Sequence, residues 1–277
     1  MKTSKKNNAG GQMLWGSDAI PNMDSVFHSC MGYASTPGWA LIQHEVINAF
    51  GSFEGLRTIE LGCGLGKVSL LFSLLGAKAT LLDYNEKQLA AAQFIHEQFH
   101  LSPDIVAANL LHLPERLCGQ YHVAMSFGTA EHFWDDDRQC VFDSHNKVLS
   151  RGGLAIVWVP NRYGFWFRFG RAARKLLQRP VCPVDETPFT RDELYRRARD
   201  AGLTDVEIRG GERLSRDFSN FVMDVSRVFG ARKQYSGFRD AKRAKDTLRQ
   251  CMARNCAQIR PWNDLFSYPL VLIGRRR

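Results

Sequence analysis

Nowhere in its 277 residues does the chain hold an apolar run long enough to cross a bilayer, and its seven cysteines include no CxxC pair. The first absence argues against a spanning helix. The second, with an odd cysteine count, fits reduced intracellular thiols better than a disulfide framework and points to a cytoplasmic protein. Internal repeats and low-complexity tracts are also missing, which removes solenoids and fibrous folds. Residues 1–12 are polar, with Lys2, Lys5 and Lys6 and no apolar core of a secretory signal, and read as a disordered tail. Two later stretches carry the largest cationic excess. Gly230 to Arg277 holds twelve Lys or Arg against three acids, and Arg162 to Arg179 holds six basic residues and no acid. The remainder is acidic, so any polyanion-binding surface belongs to these two stretches.

What is present is an ordinary globular composition, 44% hydrophobic and 23% charged, sized for one α/β domain with decorations. Strand and helix patterns alternate from about 57 to 160, which predicts a mostly parallel sheet with helices on both faces. The run Glu60-Leu61-Gly62-Cys63-Gly64-Leu65-Gly66 follows a short β-branched segment and opens into the apolar helix-like Val68-Ser69-Leu70-Leu71-Phe72. Strand, glycine turn and helix form a nucleotide-binding geometry, because glycines admit a ligand close to the backbone and a helix N-terminus offers free N–H groups. A second buried strand, Ala79 to Asp83, ends in a carboxylate suited to both hydroxyls of a ribose.

The dinucleotide fingerprint G-x-G-x-x-G fails here, since Lys67 stands where its third glycine belongs. The glycines alternate as Gly62, Gly64 and Gly66, with an acid two residues before the first. This arrangement resembles motif I of the class I S-adenosylmethionine-dependent methyltransferases. A carboxylate beside the turn would repel a pyrophosphate but suits a ligand bearing an ammonium and a sulfonium. The resemblance continues through Tyr121–Ser126, Phe127-Gly128-Thr129-Ala130-Glu131-His132-Phe133, the Gly152-Gly153 pair with the following strand to Pro160, Pro188–Gly202 and Tyr268–Gly274. In the fourth of these, Thr190 and Glu193 have capping-box spacing. The first fifty residues and about 212–266 lack a clear counterpart.

The resemblance implies a Rossmann-like, doubly wound, seven-stranded sheet in the order 3-2-1-4-5-7-6 with one antiparallel strand. It implies a single domain over 13–277, with a helical cover at 13–50, a lid-like segment at 162–187 and a helical insertion at 212–266. It implies S-adenosylmethionine as cofactor. Gly62, Cys63, Gly64 and Gly66 would approach its amino-acid and ribose parts, with Glu60 nearby. Asp83 would hold the ribose, and Tyr84 would stack near the adenine. Asn109 and Leu110 would line the adenine edge, Asn109 as a neutral departure from the usual acid. Ser126 and Phe127 would lie beneath the methionine part.

Methyl transfer from a sulfonium needs alignment and exclusion of water, and a base only where the acceptor must lose a proton. His132, after the fourth strand, is the leading base; a scaffold role competes with it, and His28 and Tyr33 are weaker candidates. Glu131, His132 and Asp135-Asp136-Asp137 could suggest a divalent cation, but the triplet reads better as a helix start, so no metal is expected. Cys63 reads as a small residue that fits the turn. The run from Arg162 to Leu177 mixes five aromatics with basic residues. It fits a lid, an amphipathic helix on an anionic membrane through 162–179, an RNA-contacting surface, or a surface helix joining the core. The acceptor is expected to be a small or lipid-like molecule methylated at O, N or C. A tRNA or rRNA methyltransferase using the basic C-terminal half ranks second, ahead of a nicotinamide oxidoreductase and a binding-only relative.

Overall fold

The computed structural model describes residues 22–164, 168, 186–211, 238, 240–255, 267 and 269–277. Among them seven strands pair into one sheet: β1 (Arg57–Leu61), β2 (Lys78–Asp83), β3 (Asp104–Ala107), β4 (Tyr121–Phe127), β5 (Leu149–Pro160), β6 (Leu203–Gly210) and β7 (Pro269–Arg276). Their order is β3-β2-β1-β4-β5-β7-β6. The first five in that order run parallel, and β7 runs antiparallel to both β5 and β6. This is the sheet that the motif resemblance implied.

Central strands covered on both faces are mostly apolar, as Val123–Met125 of β4 and Leu154–Val159 of β5 are, and they are buried along these runs. Alternation sorts their side chains between two cores. Val123, Met125, Ile156 and Trp158 join a cluster formed with α1 (Met23–Ala34), α2 (Pro37–Phe50), α3 (Lys67–Leu74) and the end of α4 (Glu86–Gln98). Ala124, Ala155, Val157 and Val159 join the opposite cluster under α5 (Asp135–Val148) and α6 (Arg191–Asp200). The helix α7 (Ala241–Asn255) buries Ala244, Leu248 and Met252 in the first core. No described helix is long and apolar enough to cross a membrane.

Local signals explain where helices begin. Thr36 Oγ1 accepts the Trp39 amide at 3.0 Å, and Pro37 sets the first turn of α2. Trp39 is then fully buried with its ring edge-on to Phe72 at 5.6 Å, a burial worth about 1.5–3 kcal/mol. Thr190 caps α6 through the Glu193 amide at 3.1 Å. The Glu193 carboxylate does not complete a reciprocal box but turns to Arg197 and Arg138, with Nε at 3.3 and 3.4 Å. Gly152 and Gly153 lie inside β5, where its register against β4 shifts, rather than in a turn before it.

Residues 1–21 lie outside the described residues, as do the aromatics of the basic run at 165–169 and nearly all of 162–187 that follows. Of the 212–266 segment, the structure describes 238 and 240–255.

Candidate active site

The carboxyl ends of β1, β2, β3 and β4 meet at one edge of the sheet. In-register pairing sets Leu61 beside Leu82, and the chain then turns back on itself: Gly62 and Cys63 both donate N–H to the Leu82 carbonyl, at 2.8 and 3.0 Å. Gly62, Gly64 and Gly66 have φ of +71°, +51° and +60°, the left-handed region that favours glycine. Gly66 opens α3 in that conformation. A Cβ on Gly64 would meet nothing within 4 Å, so the turn is open there.

Asp83 ends β2 against this turn. Its Oδ2 accepts the Gly64 N–H at 2.9 Å and its Oδ1 accepts the Asn85 N–H at 3.0 Å. Burial raises its pKa, and hydrogen bonds from Asn85, Gly64 and Tyr84 oppose the rise. Three backbone donors leave part of the carboxylate's acceptor capacity for a ribose hydroxyl. Tyr84, next along, is 44% exposed. The end of β3 closes in through the Ala108 N–H on the Asp83 carbonyl at 3.0 Å. Leu110 is buried just beyond it. Asn109 is exposed, and its Oδ1 caps a local turn by accepting the Leu111 N–H at 2.9 Å. Its amide NH₂ is therefore the better group to offer a ligand.

The β4 end completes the constellation. Thr129 Oγ1 donates to the Gly62 carbonyl at 3.1 Å, tying the loop after β4 to the glycine turn. Ser126 is fully buried, and its Oγ has no hydrogen-bond partner among the described residues. Phe127 is half-buried, edge-on to Tyr33 of α1. The 3₁₀ turn Ala130–His132 then sets a half-buried His132 beside a buried Glu131. Burial pushes the Glu131 carboxyl up to about 8, reinforced by Glu186 and opposed by its own backbone N–H and by Arg138.

One of the sequence candidates sits differently from expectation. Glu60 lies inside β1, and its Oε2 accepts both the Ser69 amide at 3.0 Å and the Ser69 hydroxyl at 2.5 Å. It thereby ties α3 to the strand. Burial lifts its pKa to about 7, against the pull of Ser69 and Lys67. The Cys63 thiol is buried and its pKa is raised by burial and then by Glu60 and Asp83, so it is a poor nucleophile. His28 is exposed on α1, next to Ser29, whose hydroxyl accepts from Lys67 Nζ at 3.1 Å. Asp135, Asp136 and Asp137 form the first turn of α5, and no group of three potential metal ligands occurs among the described residues. Thr129, Ser69 and Trp158 carried no individual signal in the sequence.

These features define a Rossmann-like domain with an adenosyl-type crevice, and known proteins agree. A family described as "Methyltransferase domain" matches residues 59–153. The ubiquinone biosynthesis O-methyltransferase of Cereibacter sphaeroides is 30% identical over 164 residues, 57% of this chain and 64% of that protein. The chain thus spans just under two thirds of that relative's length. An S-adenosylmethionine-dependent methyltransferase from Archaeoglobus fulgidus superposes with a TM-score of 0.50 at 13% identity, covering 86% of this chain and 94% of that one. The cyclase SpnF superposes at 0.54 with 15% identity, covering 86% and 80%. At such identities the superpositions show the fold alone. Residues 59–153 thus match a methyltransferase domain, and the described residues share the fold of S-adenosylmethionine-dependent methyltransferases.

Proposed function

We propose that the protein transfers the methyl group of S-adenosylmethionine to a small or amphipathic molecule, with a hydroxyl oxygen as the favoured acceptor atom. The observation that carries this reading is the Asp83 carboxylate, held by the Gly64 N–H at 2.9 Å so that turn and acid present one surface. The residues fit the cofactor on three counts: lone pairs remaining on Asp83, open space beside Gly64, and the unsatisfied buried hydroxyl of Ser126. Asp83 would receive the ribose diol, the glycine turn and Ser126 the methionine end, and Tyr84, Asn109 and Leu110 the adenine side. The bound cofactor supplies an electrophilic methyl on a sulfonium, whose leaving group is a neutral thioether.

The chain's own task is alignment and water exclusion. Tyr33 and Phe127 shield the crevice from the α1 side. His132, in the 3₁₀ turn that follows β4, would take the proton of an acceptor hydroxyl. The oxygen preference follows the relative named as an O-methyltransferase. Lys67, in place of a third glycine, disfavours a nicotinamide dinucleotide.

Calorimetric titration with S-adenosylhomocysteine and, separately, NAD tests the reading. Micromolar binding of the former and none of the latter is expected; the reverse pattern refutes it. Methyl-labelled cofactor incubated with a host extract should then place label in the small-molecule or lipid fraction rather than in RNA.

A further inference from the structure

Three aromatic rings converge beside the crevice, from elements far apart in sequence. Tyr33 of α1 lies edge-on to Phe127 and Trp158, with centroids at 6.4 and 6.1 Å and interplanar angles of 77°. Phe127 and Trp158, paired in register at the ends of β4 and β5, are 5.8 Å apart and tilted by 38°. At these separations the rings touch one another, so they make a continuous wall and not a hollow cage around a cation.

The wall is braced from behind. The Trp158 indole occupies a slot between Gly38 and Gly211, where added Cβ atoms would lie 2.5 Å from Cζ3 and 2.9 Å from Cη2. The slot is itself closed by the Gly38 N–H on the Gly211 carbonyl at 2.9 Å. Trp158 is 9% exposed, whereas Tyr33 and Phe127 are only half-buried and present the accessible surface.

The wall's place in the sheet gives it a role. Adenine-side residues follow β3, the ribose acid ends β2 and the glycine turn ends β1, so the ligand is laid out from β3 toward β4. Its reactive end then faces the β4 and β5 ends, where the wall stands.

Resting on the methyltransferase reading above, we infer that Tyr33, Phe127 and Trp158 form the acceptor subsite and select a flat, uncharged aromatic ring over saturated or cationic acceptors. The Gly38–Trp158–Gly211 slot fixes the wall rigidly. A planar ring gains stacked or edge contacts with the two accessible side chains, and a puckered ring of the same polarity does not.

The test compares catechol with cyclohexane-1,2-diol, titrated calorimetrically into the protein saturated with S-adenosylhomocysteine. Catechol is expected to bind about tenfold more tightly, the ratio that one or two ring contacts produce. Tyr33→Leu should reduce that ratio to about threefold or less, and Tyr33→Phe should restore it. Equal affinity for the two diols, binding of neither at millimolar concentration, or an undiminished ratio in folded Tyr33→Leu overturns the inference. Should Tyr33→Leu fail to fold, the wild-type ratio decides alone. Binding of S-adenosylhomocysteine is measured first, so failure of the cofactor reading is seen separately from failure of the wall.

Discussion

Thr129 and Gly62 make one contact in two parts: the threonine hydroxyl donates to the Gly62 carbonyl at 3.1 Å, and its methyl fills the place of a glycine Cβ. A Cβ on Gly62 would stand 2.5 Å from Thr129 Cγ2, at a φ of +71°. Gly62→Ala is therefore expected to cost about 2–4 kcal/mol, from backbone strain plus overpacking. It should also weaken S-adenosylhomocysteine binding by at least tenfold. Chemical denaturation with a matched titration checks both, and an alanine variant of wild-type stability would refute the contact.

Asp83→Asn keeps the shape and removes the charge. One oxygen becomes an NH₂ group, which cannot accept from Gly64 or Asn85, so one of the two bonds at 2.9 and 3.0 Å is lost. Affinity for S-adenosylhomocysteine should fall by about 10- to 100-fold, since hydrogen bonds to a charged acceptor are each worth about 1.5–3 kcal/mol. Calorimetry at constant pH reads this directly.

His132→Ala separates base from scaffold. A base role predicts a fall in kcat of about 10²–10⁴-fold, recovered in part as pH rises and the acceptor ionises unaided. A scaffold role predicts lower stability and a pH profile of unchanged shape. The pH dependence of kcat is the deciding measurement.

Stability should fall between pH 6.5 and 8. Burial lifts the carboxyls of Glu60 and Glu131 from 4.5 to about 7 and about 8, so the folded state holds protons that the unfolded chain releases. Their stabilisation is complete below pH 4.5 and is lost as pH climbs through those folded values. His96 and His145, lowered by burial from 6.5 to about 4, act oppositely: stability rises with pH until about 6.5 and then levels. Above pH 6.5 the carboxyls act without that offset, and the loss is on the order of 1 kcal/mol. Glu131→Gln should flatten the upper part of the slope, as followed by Tm against pH.

Arg138 clamps the segment that returns from 162–187. It donates to the Thr187 carbonyl at 2.6 Å, pairs with Glu193 at 3.4 Å and lies over the Phe189 ring, 3.5 Å from its centroid. Arg138→Met should cost about 1–3 kcal/mol in urea denaturation, because the part-buried Thr187 carbonyl loses its donor and the Glu193 carboxylate keeps only Arg197. Arg138→Lys should recover little, since it lacks the flat face that stacks on Phe189.

The glycine turn and Asp83 were legible because they depend on local pattern, glycine spacing and an acid closing an apolar strand, whereas the sheet order was implied by the family resemblance that these motifs carry. Side-chain direction was less so. Glu60 precedes the turn by two residues, yet as a strand residue it faces α3 and Ser69 rather than the crevice. Asn109 spends its carbonyl on a neighbouring amide, a choice that composition does not reveal. The slot around Trp158 was illegible in principle, since Gly38, Trp158 and Gly211 meet only once α2, β5 and the end of β6 have packed. Thr129 gained its role likewise, from a partner 67 positions away.

The position of β7 has a kinetic corollary. Among the described residues, strands β5 and β6 share no hydrogen bonds, and β6 joins the sheet through β7, which follows both along the polypeptide. The parallel block from β1 to β5 can assemble from contacts nearer in sequence, while β6 must wait for residues 269–276 to be threaded between the two. Refolding should therefore show amide protection arriving last at β6 and β7, with the glycine turn formed well before them.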